Sequence, residues 1–82
     1  MEYFVYIVMC SDGTLYTGIT TDIKRRIKEH NESNKSAKYT KIRRPVVLVF
    51  NKKCQNRSEA TQEELKIKKL TRTQKNSLIN NQ

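Results

Sequence analysis

Five side chains spread along this sequence carry the groups that phosphodiester hydrolysis requires. That reaction needs an activated water, neutralisation of charge on a phosphorane-like transition state, and stabilisation of the leaving oxygen. Tyr6 and Tyr16 offer phenolic hydroxyls, Arg26 a guanidinium, His30 an imidazole one helical turn further on, and Glu64 a distant carboxylate. A hydroxyl-bearing base, an arginine and one carboxylate-held Mg²⁺ or Mn²⁺ could meet all three demands, since a hard divalent ion takes oxygen ligands and keeps most of its waters. Whether these groups meet depends on the elements that carry them.

Tyr3 to Cys10 is almost wholly β-branched, aromatic or apolar, and Thr14 to Thr20 has the same character. Both stretches read as strands, and Ser11-Asp12-Gly13 between them supplies turn chemistry for an antiparallel hairpin. Register decides the outcome, because a slip of one residue moves every side chain to the other face. A two-residue Asp12-Gly13 loop would put the tyrosines on opposite faces. A three-residue loop with Gly13 in the left-handed bulge position pairs Cys10 with Thr14, Val8 with Tyr16 and Tyr6 with Gly18. The second register sorts the residues better. Val5, Ile7, Met9, Leu15, Thr17 and Ile19 form a core face, while Phe4, Tyr6, Val8, Tyr16, Gly18 and Thr20 share the other. A glycine opposite Tyr6 leaves room for a ligand or a second backbone to approach. The simpler alternative keeps both tyrosines as core residues with satisfied hydroxyls.

Thr20 or Thr21 is a suitable N-cap for a helix of about ten residues, with Asp22 in its first turn and Ile23, Ile27 and His30 at helical spacing. Arg26 and His30 lie on one flank near the apolar stripe, whereas Lys24, Arg25 and Lys28 point toward water. Alone, Arg26 reads as a surface cation and His30 as a helix-end histidine meeting the dipole.

The chain has 82 residues and a formal charge of +9, from 17 Lys+Arg against 8 Asp+Glu. That length fits one domain, 1–82, with a single modest core, and the charge suggests a polyanionic partner. Cys10 in a strand and Cys54 in a loop are too few for a disulfide framework and lack metal-ligand spacing, so they are expected to be free thiols in a reducing cytoplasm. The N-terminal apolar run is too short for a membrane span and lacks the basic region of a signal peptide.

Between Ser33 and Ser58 no acidic residue occurs, while Lys35, Lys38, Lys41, Arg43, Arg44, Lys52, Lys53 and Arg57 form a basic band. It is either a solvated run or a phosphate-backbone contact surface. In the second reading affinity falls steeply with salt, and Tyr39 could stack on an unpaired base or simply pack down its loop. Val46 to Phe50 forms a third strand beside the hairpin. Asn56 or Ser58 then caps a helix, Asn56 with Glu59 resembling a capping box. Ala60, Glu64 and Ile67 follow at i, i+4 and i+7, which sets a carboxylate in an inward-facing stripe. Burying it unpaired is costly, so it calls for Arg26, Lys68 or a metal ion as partner. Thr71 with Gln74 caps a last short helix carrying Leu78 and Ile79, and Asn80 to Gln82 are expected to fray.

The spacing of Val5-Tyr6-Ile7, Tyr16-Thr17-Gly18, Ile23, Arg26, His30 and Glu64 beside Ile67 resembles the GIY-YIG nuclease domain. Ala37-Lys38-Tyr39-Thr40, Arg43-Arg44-Pro45 and Glu64 through Leu70 extend the likeness to the small stand-alone bacterial proteins grouped as UPF0213, over nearly the full length. Phe4, Val5 and Thr17 depart from the name-giving letters, but both tyrosines and Gly18 are kept. The resemblance implies an α+β fold, a small three-stranded antiparallel sheet flanked by helices in the order β-β-α-β-α-α. It implies a nuclease in which Tyr6 relays or accepts the proton of the attacking water. Arg26 holds the scissile phosphate, Tyr16 orients the site, His30 supports proton transfer or phosphate contact, and Glu64 binds one Mg²⁺ or Mn²⁺. Lys35, Lys38, Tyr39, Lys41, Arg43 and Arg44 then contact nucleic acid, DNA in preference to RNA, with no membrane, no small-molecule cofactor and a monomeric state expected. A non-catalytic basic binding module on the same fold is the alternative, and a protein-interaction domain using the exposed sheet face is a third.

Overall fold

A computed structural model describes residues 2–81. The hairpin strands are β1 (Tyr3–Met9) and β2 (Leu15–Thr20), and the helices and third strand that follow are α1 (Ile23–Glu32), α2 (Lys38–Lys41), β3 (Val47–Cys54), α3 (Arg57–Lys68) and α4 (Arg72–Asn80). The sheet is antiparallel throughout, with β1 in the middle in the order β2-β1-β3. The expected α+β architecture is what the chain adopts, with the single turn α2 added to the β-β-α-β-α-α order.

The hairpin closes through the three-residue loop. Gly13 takes φ 82°, in the left-handed region that favours glycine, and the Cys10 N–H donates to the Thr14 carbonyl at 2.8 Å. Val8 pairs with Tyr16 and Tyr6 with Gly18, so both phenols stand on one face. The other face builds the first core layer, where Val5, Ile7, Phe50 and Cys54 meet Ala60 and Ile67 of α3, with Leu78 and Ile79 of α4 at the margin. The tyrosine face builds the second, where Tyr6, Val8, Cys10 and Val46 pack against Ile23 and Ile27 of α1. The central strand is thus covered on both sides, in keeping with its unbroken apolar run.

Several boundaries differ from expectation, the first strand ending at Met9, before Cys10, and the second starting at Leu15, after Thr14. Asp22, not Thr20 or Thr21, caps α1, its carboxylate accepting from the Arg25 N–H at 3.0 Å, while the Thr20 hydroxyl accepts from the Asp22 N–H just before the helix. The third strand starts later and runs on to Cys54. Val46 is held instead by the Asn31 side chain, which donates to its carbonyl and accepts from its N–H, and the polar Asn51-Lys52-Lys53 continue as strand because Tyr6, Val5 and Phe4 pair with them. Cys54 is therefore a buried strand residue, not a loop one, and both cysteines are free.

The remaining caps follow the sequence. The Asn56 side chain accepts from the Glu59 N–H, although the Glu59 carboxylate reaches back to the Gln55 N–H, one position before the cap residue. Thr71 and Gln74 form a full capping box. Asn80 still belongs to α4, and the expected fraying of Gln82 lies outside the described residues.

Candidate active site

Tyr6 reaches across the hairpin over Gly18, where a side chain would have no space. A Cβ on residue 18 would stand 2.6 Å from the Tyr6 hydroxyl oxygen. The ring is 1% exposed, and its Oη shares a hydrogen bond of 2.7 Å with His30 Nε2. His30 does lie in the last turn of α1, at the helix end the sequence assigned it, but it is wholly buried. Its other nitrogen, Nδ1, lies 2.7 Å from the hydroxyl of Thr40 on α2, and that hydroxyl donates to the Ala37 carbonyl at 3.1 Å.

Burial sets the titration of both groups. Desolvation raises the Tyr6 pKa to about 12 even though the Arg26 guanidinium acts on its hydroxyl as donor and positive charge, and desolvation with the charges of Arg26 and Arg44 lowers that of His30 to about 4. At neutral pH the pair is phenol and imidazole, both uncharged.

Arg26 projects from α1 with its Nη1 bonded to Glu29 Oε1 at 2.9 Å and to the Lys35 carbonyl at 3.0 Å. Burial works against its charge, but Glu29 and the Tyr6 hydroxyl more than offset that. Glu29 is in turn held as a carboxylate below its usual range by the Arg26 hydrogen bond. Tyr16 sets its ring edge-on to His30 at 5.5 Å between centroids.

Glu64 lies on α3 with 19% of its side chain exposed, paired with Lys68 at 3.3 Å. Of the two protein cations open to it, Lys68 is the one it pairs with. Its charge nevertheless reaches Tyr6, as does that of Arg26, so these three side chains share one electrostatic neighbourhood. Among the described residues no cluster of three or more His, Cys, Asp or Glu could cage a metal ion. A lone, half-buried carboxylate fits an ion whose remaining positions are filled by water and phosphate oxygens.

The basic band divides by role. Lys35, Lys38 and Lys41 are exposed, and Tyr39 is 37% exposed at its ring edge. The faces of Tyr39 are occupied, one stacked against Tyr16 at 6.0 Å and another covered by the Arg43 guanidinium 3.9 Å from the ring centroid. Tyr39 thus sits on α2 against Tyr16 and Arg43, and Arg43 is tethered by Asp12 at 3.0 Å and the Tyr39 carbonyl at 2.9 Å. Arg44 turns inward. Its Nε donates to the His30 carbonyl at 2.6 Å and its Nη2 to Ser36 Oγ at 3.0 Å and to the Ser33 carbonyl, which satisfies the C-terminal end of α1. It clamps the helix that carries Arg26 and His30, where the sequence suggested a phosphate contact.

Sequence reasoning missed Thr40, Asn31 and Glu29. α2 is a single turn and has no periodicity to detect; the only hint was a tyrosine and a threonine among lysines.

A family model described as the GIY-YIG catalytic domain matches residues 2–77. The chain belongs to the GIY-YIG family. This GIY-YIG protein is 60% identical over 77 residues to the UPF0213 protein of Desulfotalea psychrophila, covering 94% of this chain and 70% of that one. It is 51% identical over 78 residues to the UPF0213 protein of Staphylococcus epidermidis, covering 95% and 94%. Two solution NMR structures share the fold: the UPF0213 protein BH0048 of Bacillus halodurans, at TM-score 0.63 and 45% identity, and the protein EF2693 of E. faecalis, at 0.66 and 43%. Each covers 98% of this chain and 84% of its own. The family is one of nucleases.

Proposed function

We propose that this GIY-YIG protein hydrolyses phosphodiester bonds of nucleic acid, DNA in preference to RNA, using Tyr6, Tyr16, Arg26, His30 and one Mg²⁺ or Mn²⁺ held by Glu64. The reading is carried by one observation: groups from β2, α1 and α3 act on a single phenol of β1, Tyr6. With a pKa of about 12, only about one Tyr6 in 10⁵ is a phenolate at pH 7, which favours a relay over a preformed phenolate base. As a water oxygen attacks phosphorus, its proton passes to the Tyr6 oxygen and the Tyr6 proton passes to His30 Nε2. The bond to the leaving oxygen breaks in the same displacement. The phosphate's own negative charge raises the basicity of His30 while it is needed. Arg26 is preorganised by Glu29 and neutralises charge on the transferring group.

A bound ion would polarise the phosphate and stabilise the leaving oxygen. Glu64 would hold it, exchanging Lys68 for the ion. The Tyr6 oxygen becomes accessible as the Arg26 and Glu64 side chains turn to phosphate and metal. Lys35, Lys38, Lys41 and Arg43 line up the backbone without reading base edges, so sequence specificity is low and branched, nicked or single-stranded shapes are preferred.

The test is incubation of wild type and Glu64→Ala with labelled DNA and RNA of several shapes, with and without Mg²⁺ or Mn²⁺. Metal-dependent cleavage that Glu64→Ala abolishes while binding persists supports the reading. Binding that ignores chelator, with no cleavage of any substrate, would leave the basic binding module instead.

A further inference from the structure

The hydroxyl of Thr40 is fully buried and stands between a backbone carbonyl and a catalytic candidate, and nothing in the basic stretch around it requires a residue of that kind. Its proton goes to the Ala37 carbonyl, so toward His30 the Thr40 oxygen can only accept, and His30 Nδ1 must carry the hydrogen. Nε2 is then bare and accepts from the Tyr6 hydroxyl. The other side of Tyr6 leads to the same assignment. With Nε2 bare the phenolic proton has an acceptor, while the positive charge of Arg26 acts on the Tyr6 oxygen. With the opposite tautomer, the 3.1 Å contact between Thr40 and Ala37 would also hold two oxygens together with no proton between them.

We propose that Thr40 is a positioning residue which fixes the tautomer of His30 and so aims a bare Nε2 at Tyr6. A chain of Ala37 carbonyl, Thr40 hydroxyl, imidazole and phenol orients every proton toward the carbonyl end. The Tyr6 oxygen therefore keeps a lone pair free to receive a proton from the reaction side. Thr40 touches neither substrate nor metal; it acts only through His30.

His30 is the only histidine in the chain, so its ring nitrogens can be read without ambiguity. Long-range ¹H–¹⁵N correlation on labelled protein at pH 7 should show protonated Nδ1 and bare Nε2 in wild type and in Thr40→Ser. In Thr40→Val the stranded Nδ1–H shifts the ring toward the Nε2–H form. A wild-type spectrum with Nε2 protonated, or a Thr40→Val ring unchanged from wild type, overturns the proposal. Should Thr40→Val not fold, the wild-type and Thr40→Ser spectra decide. This spectral arm does not depend on nuclease activity.

The kinetic arm rests on the function proposed above. There Thr40→Val lowers kcat on the order of 10- to 100-fold with KM little changed, and Thr40→Ser restores most of it. If wild type cleaves and Thr40→Val cleaves equally fast, the positioning role is refuted while the nuclease reading stands.

Discussion

Tyr6 and Gly18 face each other across the hairpin so closely that a methyl group on residue 18 would fall 2.6 Å from the phenolic oxygen. The ring cannot yield cheaply, because it is buried and bonded to His30 at its tip. Gly18→Ala should therefore cost about 1–3 kcal/mol of stability through overpacking. It should also lower cleavage at least tenfold by breaking the bond between phenol and imidazole. Thermal melts and turnover on one substrate check this; unchanged activity would mean the hydroxyl position is immaterial.

His30 makes stability depend on pH in a defined window. Its pKa in the folded chain is about 4, against the ordinary value of 6.5, so the unfolded chain binds its proton first as pH falls. The neutral ring contributes its full share above about pH 6.5, and that share is lost on acidification toward pH 4. The loss should amount to about 2–3 kcal/mol in total. Urea midpoints between pH 7.5 and 5.5, a range lying above the ordinary carboxylate values, should fall in wild type and stay nearly flat in His30→Phe.

Glu64→Ala and Arg26→Ala should each reduce kcat by about 10²–10³-fold while leaving the protein folded. The Glu64–Lys68 pair is partly exposed, so its loss should change the melting temperature little. A large loss of stability in Glu64→Ala would instead make that carboxylate a structural residue.

Cations in the basic stretch should separate by function. Lys38→Ala and Lys41→Ala should each reduce the slope of log affinity against log salt by about 0.9 on duplex DNA without destabilising the fold. Arg44→Ala should leave that slope alone and cost about 1–3 kcal/mol, because the His30 and Ser33 carbonyls lose their donor. Equal slopes for all three variants would refute the division.

The hairpin register was legible because two independent signals agree on it: the alternation of Val5, Ile7, Leu15 and Ile19 with the tyrosines, and a glycine placed to take the bulge. The cap of α4 was legible because Thr71 and Gln74 satisfy each other locally. What depends on distant partners was not. Nothing near Arg44 in sequence says that it folds back fourteen positions to His30, and nothing near Cys54 says that strand pairing with Tyr3 overrides the weak β-propensity of the lysines before it. Glu64 stood between these cases. The helical pattern marked it as an anomaly, but only the fold could choose Lys68 over Arg26 as its protein partner.

The Ser11-Asp12-Gly13 connection imposes a rule of parity on this lineage. Losing or gaining one amino acid there would turn the second strand over and bury the Tyr16 phenol among aliphatic neighbours on the far side, with Thr17 or Leu15 respectively delivered in its place. Length variants in related chains should accordingly preserve an odd count at that bend, and engineered insertions will be tolerated only in pairs.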